Sequence, residues 1–343
     1  MNGEEAGQPA SFHVRTARRD ANRQPLIAML PQPLDLLVLG GGLHGLTTAL
    51  AARQQGARVI VIEREPSPGG MTRTQRSEGF ACELGPFALA ANELIPILAV
   101  LPAPPPLIGL QVTTGATLAG TTLTPTEVEG DPRSGRSGLE DLVTALRREL
   151  GPDLRLGRAA TGITPMTNLW TTHLAGEIVS QIEATAIHLC VPLADAAALL
   201  MPLDPALPLL VRRLVKEQRA FVFLGTWQDP AFAQSCQGYG VITTDPESPV
   251  AEILFCSNAF AGRAVTGKAL VRVELQGNLA HDPDPDVVAA LAEAELRRIT
   301  GWSGRVLFRR VHPFTVPVIN AAHVECRVRI SELCRRAKGL SVG

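Results

Sequence analysis

The stretch Leu34–Glu65, LDLLVLGGGLHGLTTALAARQQGARVIVIERE, constrains this chain more than any other. It opens on Leu36-Leu37-Val38-Leu39, an unbroken apolar run of the kind a strand shows when both its faces are covered. Gly40, Gly42 and Gly45 then satisfy G-x-G-x-x-G, with Gly41, Leu43 and His44 between them. Leu46 to Gln55 predicts a helix closed by Gly56, and Arg58 to Ile62 a second strand that ends at Glu63 and Arg64. The first glycine allows a tight turn out of the strand. The second lets a pyrophosphate approach the backbone, and the third lets the helix pack closely on the strand. The helix N-terminus offers unpaired N–H groups and a positive dipole end to phosphate. Glu63 is placed to accept hydrogen bonds from ribose hydroxyls. Strand, glycines, helix, strand and acid arrive in the order a dinucleotide site requires, and His44 is expected to fill a helix-start position beside the pyrophosphate.

A chain of 343 residues can bury a substantial core, and its length suggests two linked domains. The formal net charge of −1 and the lack of a basic tract argue against nucleic acid as a partner. The six cysteines form no C-x-x-C pair, and the seven histidines form no H-E-x-x-H, so no metal is expected. Reduced thiols in a cytoplasmic setting are the expectation. The most apolar window, Ala184 to Pro202, is interrupted by His188, Pro192 and Asp195 and reads as a strand and a short helix rather than a membrane span. A peripheral membrane contact stays open, and the oligomeric state is not legible. Residues 1–33 are polar and without period, with Arg15, Arg18, Arg19 and Arg23 before a very short apolar patch; a dispensable, disordered leader is expected there.

Beyond Glu63 lies a turn-rich loop, Pro66 to Thr74, and then Gly79-Phe80-Ala81-Cys82-Glu83-Leu84-Gly85-Pro86. Gly69-Gly70-Met71-Thr72-Arg73-Thr74 followed by that segment resembles the FAD-dependent amine oxidase, phytoene desaturase and protoporphyrinogen oxidase superfamily. The resemblance implies an α/β fold: a Rossmann-type FAD/NAD(P)-binding domain with an intertwined, mostly antiparallel β-sheet plus helix substrate domain. It implies FAD as cofactor, with Gly70, Arg73, Gly85, Pro86, Phe87 and Ala88 near it, and places Ala160 where the family's backbone pairs with the adenine edge. The dinucleotide-binding domain is expected over 34–100, 137–200 and 318–343, and the substrate-type sheet over 201–317.

Between them, 101–136 is rich in proline, then in threonine and glycine, where the family usually introduces a helical substrate-binding region; a shortened lid or linker is expected. Leu139 to Leu150 predicts an amphipathic helix stopped by Gly151-Pro152. Trp170 to Leu174, Glu177 to Ile182 and Ala184 to Val191 predict strands, with His188 in the core. Val271, Val273 and Leu275 alternate with Arg272 and Glu274, the pattern of a half-buried strand. Asp284-Pro285 predicts a capped helix running to Thr300 and stopped by Gly301.

Ile253 to Ala264 and Val311-His312-Pro313-Phe314-Thr315-Val316-Pro317 resemble the protoporphyrinogen oxidase branch. Lys338 to Gly343 resembles the family's last strand, after which a glycine turn and a flavin-capping helix are expected. The resemblance implies an oxidoreductase that passes hydride from a reduced, tetrapyrrole-like small molecule to flavin, with oxygen or another acceptor. Two alternatives stand beside it: a non-catalytic or truncated FAD/NAD(P)-binding homologue, and an amine or polyene oxidoreductase. No catalytic acid or base is nominated.

Overall fold

The computed structural model describes residues 32–175 and 180–343. The expected leader therefore lies outside the described residues almost entirely. The glycine stretch forms strand β1 (Leu36–Leu39), helix α1 (Leu43–Gln54) and strand β2 (Val59–Ile62). These sit in a five-stranded sheet with Leu340–Val342, Ile187–Leu189, β1, β2 and Leu154–Arg155 in spatial order. Every pairing in it is parallel.

The unbroken apolar runs follow from cover on both faces. Leu37, Leu39, Ile60 and Ile62 point into one core, with Ile182, Ala197 and Ile330. Val38, Val59 and Val61 point into another, with Leu46 and Leu50 of α1, Ile97 of helix α2 (Ala91–Val100) and Leu142 and Leu146 of helix α3 (Glu140–Leu150). The first core is closed by an antiparallel sheet of Ala159–Met166, Leu169–Ala175 and Ser180–Ala184 and by the helix Ala321–Arg336. Helix α1 starts at Leu43, three residues before the predicted Leu46. Gly42 is its extended N-cap, and the Leu46 N–H donates to the Gly42 carbonyl at 3.0 Å, which draws His44 and Gly45 into the first turn.

The second unit is a seven-stranded sheet ordered Val306–Pro317, Lys216–Trp227, Lys268–Gln276, Val250–Leu254, Gly240–Thr243, Thr114–Ala119 and Thr122–Glu127. The helix Pro285–Thr300 covers one face through Val288, Ala292 and Leu296. Its Asp284 side chain accepts from the Asp286 N–H, and Gly301 closes it at φ +70°, as the sequence predicts. The other face carries Phe221, Phe223, Leu254 and Leu270 and turns toward the first unit. The interval 101–136 supplies four strands, Leu107–Gly109, Thr114–Ala119, Thr122–Glu127 and Arg133–Gly135. Its central hairpin joins the seven-stranded sheet through a parallel pairing with Gly240–Thr243. Where the sequence suggests a reduced lid, the chain extends a sheet.

A buried carboxyl–guanidinium contact ties the two units. Glu83 accepts from Thr74 Oγ1 at 2.9 Å and from the Leu139 N–H at 3.1 Å, and stands 3.7 Å from the guanidinium of Arg263. Arg263 is fully buried, donates to Ser134 Oγ at 2.6 Å and lies over the rings of Phe87 and Phe260. Burial pushes the Glu83 carboxyl up from 4.5 to about 7, against the pull of Arg263 and of the Thr74 and Leu139 donors. The folded chain thus keeps a proton that the unfolded chain releases above about 4.5, so the stability held by this proton is full at low pH and declines toward 7. Glu83→Gln should flatten that decline in urea unfolding measured across the interval. Glu83→Ala, which strands the buried Arg263 charge, should cost about 3–5 kcal/mol in the same assay.

Candidate functional site

A cleft of about 820 Å³ opens at the C-terminal ends of the parallel strands, between the two units. This is where an open α/β sheet presents its ligands. The glycine turn forms its floor. Gly40 has φ +108°, and a Cβ on it would stand 2.2 Å from the Cys190 carbonyl oxygen. A Cβ on Gly45 would stand 2.0 Å from the Gly40 carbonyl oxygen, but one on Gly42 would meet nothing within 4 Å. Gly42 caps α1 with no side-chain hydrogen bond, so the first-turn N–H groups have no competing side-chain acceptor at the cap. The Gly69 N–H donates to the Gly41 carbonyl at 2.7 Å and lays the second glycine loop on the first.

Glu63 is buried at the end of β2. One carboxylate oxygen accepts from the Gly41 N–H at 2.6 Å and the other from the Glu65 N–H at 2.8 Å, so the acid braces the turn from below. Gly40, Gly42, Glu63, Arg64, Gly70, Arg73, Gly85, Pro86 and Ala160 all line the cleft. Arg64 reaches Asp195 at 3.0 Å across its rim.

The other nominated residues lie apart from the cleft wall. Gly41 holds Glu63, Leu43 packs on the α1 core, and Gly45 is buried beneath Gly40. Phe87 and Ala88 pack on the aromatic cluster behind the cleft. His44 is exposed on the first turn of α1 with its Nε2 3.4 Å from Nε2 of His188. His188, expected in the core, is half-buried instead. It alternates with Ile187 and Leu189, which take the core face, and pairs with Val38 on the opposite one. Burial and the neighbouring His44 hold His188 below the usual histidine range, and burial pushes the Cys190 thiol up to about 12.

The far wall comes from the seven-stranded sheet and was not nominated from sequence. Arg272 is almost wholly buried, with its guanidinium 4.3 Å from the Phe221 ring centroid. It donates to the Gly85 carbonyl at 2.8 Å and to Glu252 at 3.0 Å, and its Nε has no partner among the described residues. His312 and Phe314 stand beside it, and burial, helped by the Arg73 charge, holds His312 below the ordinary histidine value. The sequence signal is the alternation at 271–275, in which a cleft-facing strand face looks the same as a solvated one.

Residues 38–99 match the family described as NAD(P)-binding Rossmann-like domain. A phytoene dehydrogenase of Streptomyces griseus is 42% identical over 64 residues, 18% of this chain and 13% of that protein. A coproporphyrinogen III oxidase of Propionibacterium freudenreichii is 43% identical over 56 residues, 16% of this chain and 11% of that protein. The matched stretches thus span only a small part of these relatives. In fold the likeness is wider: the crystal structure of a candidate protoporphyrinogen oxidase from Exiguobacterium sp. 255-15 superposes with a TM-score of 0.75 over 90% of this chain and 93% of that one, at 15% identity.

The three glycines separate by what surrounds them. Gly45→Ala should destabilise the chain by about 1–3 kcal/mol or more through backbone overlap, whereas Gly42→Ala should stay within about 0.5 kcal/mol of the parent. Urea unfolding of the two variants checks this. Equal losses would mean that Gly42 is held by packing rather than left open for a ligand.

Proposed function

We propose that this chain, which has the fold and the glycine turn of the FAD/NAD(P)-binding Rossmann superfamily of amine oxidase, phytoene desaturase and protoporphyrinogen oxidase type, is an FAD-dependent oxidoreductase. The observation that carries the reading is the open space above Gly42, at an uncapped helix N-terminus, facing a cleft large enough for a dinucleotide. The residues present fit such a cofactor. Gly42 and the first turn of α1 would hold the pyrophosphate, and Glu63 would exchange its brace on Gly41 for ribose hydroxyls. Arg73 and the Gly85-Pro86 backbone would flank the more distal part, and the strand beginning at Ala159 would meet the adenine. Bound FAD would supply the two-electron chemistry.

The chain's own side chains bind, orient and exclude water. Arg272, held between Gly85 and Glu252 and stacked on Phe221, places a fixed positive charge in the wall shared by cofactor and substrate. Phe314, half-buried and stacked on Phe221 with centroids 4.2 Å apart, offers an apolar aromatic contact at the cleft. Burial, helped by the Arg73 charge, disfavours the charged form of His312 in this wall. A reduced tetrapyrrole-like molecule, with apolar pyrrole rings and anionic carboxylate side chains, suits an aromatic contact beside a fixed cation, and it is the substrate class we favour over amines or polyenes. No helix among the described residues is long and apolar enough to cross a membrane.

The test is a visible spectrum of the purified protein and a titration with FAD. Saturable binding with flavin absorbance is expected, and Gly42→Trp should abolish it while leaving the chain folded. A protein that takes up no FAD would sink the oxidoreductase reading. Anaerobic mixing of the loaded protein with protoporphyrinogen should bleach the flavin; bleaching by a polyamine or a carotenoid precursor alone would move the substrate to those classes.

A further inference from the structure

Behind the glycine turn, three potential metal ligands from distant parts of the chain converge. His188 and Cys190 lie two positions apart at the end of the strand Ile187–Leu189, a spacing that sends both side chains to one face of the sheet. The parallel register of Val38 with His188, and the Cys190 N–H donating to the Leu39 carbonyl at 2.7 Å, bring the first turn of α1 over that face. There His44 Nε2 stands 3.4 Å from His188 Nε2, and these two atoms and Cys190 Sγ all lie within 4.8 Å of one another.

The spacing has a chemical meaning. Two imidazole nitrogens bound tetrahedrally at about 2.0–2.1 Å from one zinc ion stand about 3.3–3.4 Å apart, which is the separation found. A thiolate sulfur at about 2.3 Å from the same ion would stand about 3.6 Å from each nitrogen, within reach by a small side-chain movement. The Nδ1 of His188 lies 2.7 Å from Ser341 Oγ, whose hydroxyl lies 3.4 Å from the Ile187 carbonyl. In the tautomer with Nδ1 donating to Ser341, the Nε2 lone pair faces His44 and is available to a cation. A metal-bound histidine usually donates its other N–H to a carboxylate, a backbone carbonyl or water, and the Ser341 hydroxyl holds that place here. His44 is exposed, and Cys190 and His188 are half-buried, so a cation could enter from the α1 side.

We propose that His44 Nε2, His188 Nε2 and Cys190 Sγ form a three-ligand site for zinc or a similar borderline-soft divalent cation, beside the Gly343 backbone. The site shares the first turn of α1 with the proposed pyrophosphate position, and its test below is run without flavin. Binding replaces the Cys190 thiol proton with the metal and releases that proton to solvent, leaving a single net positive charge among the two neutral imidazoles and the thiolate. The cation would link the first turn of α1 to the strand bearing His188 and, through Ser341, to the outermost strand of the parallel sheet.

The experiment uses the full chain, treated with chelator and kept free of flavin. Titration with Co²⁺ should give a saturating thiolate-to-cobalt charge-transfer band and tetrahedral visible absorption at one ion per chain, displaced by Zn²⁺. Zn²⁺ should also raise the thermal midpoint of the parent. Cys190→Ser should remove the charge-transfer band and His44→Gln should lower the affinity, with both chains still melting cooperatively. Ser341→Ala, which touches no metal, should weaken binding about 10–100-fold. No saturating band in the parent, or a band that survives Cys190→Ser, would overturn the assignment. In that case the two imidazoles are joined by a hydrogen bond alone.

Discussion

The close approach of three backbone segments at Gly40, Gly45 and Cys190 is the contact on which the rest of the molecule depends. A single methyl at Gly40 would meet the Cys190 carbonyl at 2.2 Å, and one at Gly45 would meet the Gly40 carbonyl at 2.0 Å. Because neither is present, β1, α1 and the strand ending at Leu189 meet without intervening side chains. The strand ends, the helix N-terminus and the Glu63 carboxylate therefore share one small volume. Everything chemical follows from that crowding: an uncapped helix end, an open face over Gly42, and a cleft wall that begins only a few ångströms away. The first glycine and the third are structural in the strict sense, while the second faces empty space.

The second unit acts on this site through two buried arginines used differently. Arg263 is a fastener, enclosed by Phe87 and Phe260 and paired with Glu83. Arg272 reaches the Gly85 carbonyl from the opposite sheet and lies in the wall of the cleft. A buried pair of this kind adds little net stability over an apolar equivalent, but breaking one partner is expensive, so it specifies how two surfaces mate. The relative placement of cleft floor and cleft wall is thus set by charge as well as by packing.

Much of this was legible in the sequence, for reasons that can be named. The β1–α1–β2 unit was readable because strands covered on both faces must be apolar throughout, and because glycines at that spacing have few other uses. The helix Pro285–Thr300 was readable from its Asp284 cap and Gly301 stop. The helix Ala321–Arg336 was not, because it buries a stripe one residue wide, Ala322, Cys326, Ile330 and Cys334, beneath an arginine-rich exterior. Helix α2 hides behind its internal Pro96. The hairpin at 114–127 is mostly threonine, glycine and alanine and largely exposed, so no alternation betrays it. Arg272 and His312 sit on strand faces whose polarity suggests solvent. The meeting of His44 with His188, 144 residues apart, is a product of parallel register and leaves no mark in local spacing.

The hairpin's place at the rim of the seven-stranded sheet bears on how the protein behaves in a crowded solution. One border strand, Thr122–Glu127, carries Pro125, and the opposite one, Val306–Pro317, carries Pro313. Proline offers no N–H to an incoming strand and is tolerated in sheets mainly along such borders. Each flank of the largest sheet therefore ends in a ladder with a missing rung. Edge-to-edge growth into fibrillar assemblies is disfavoured on both sides.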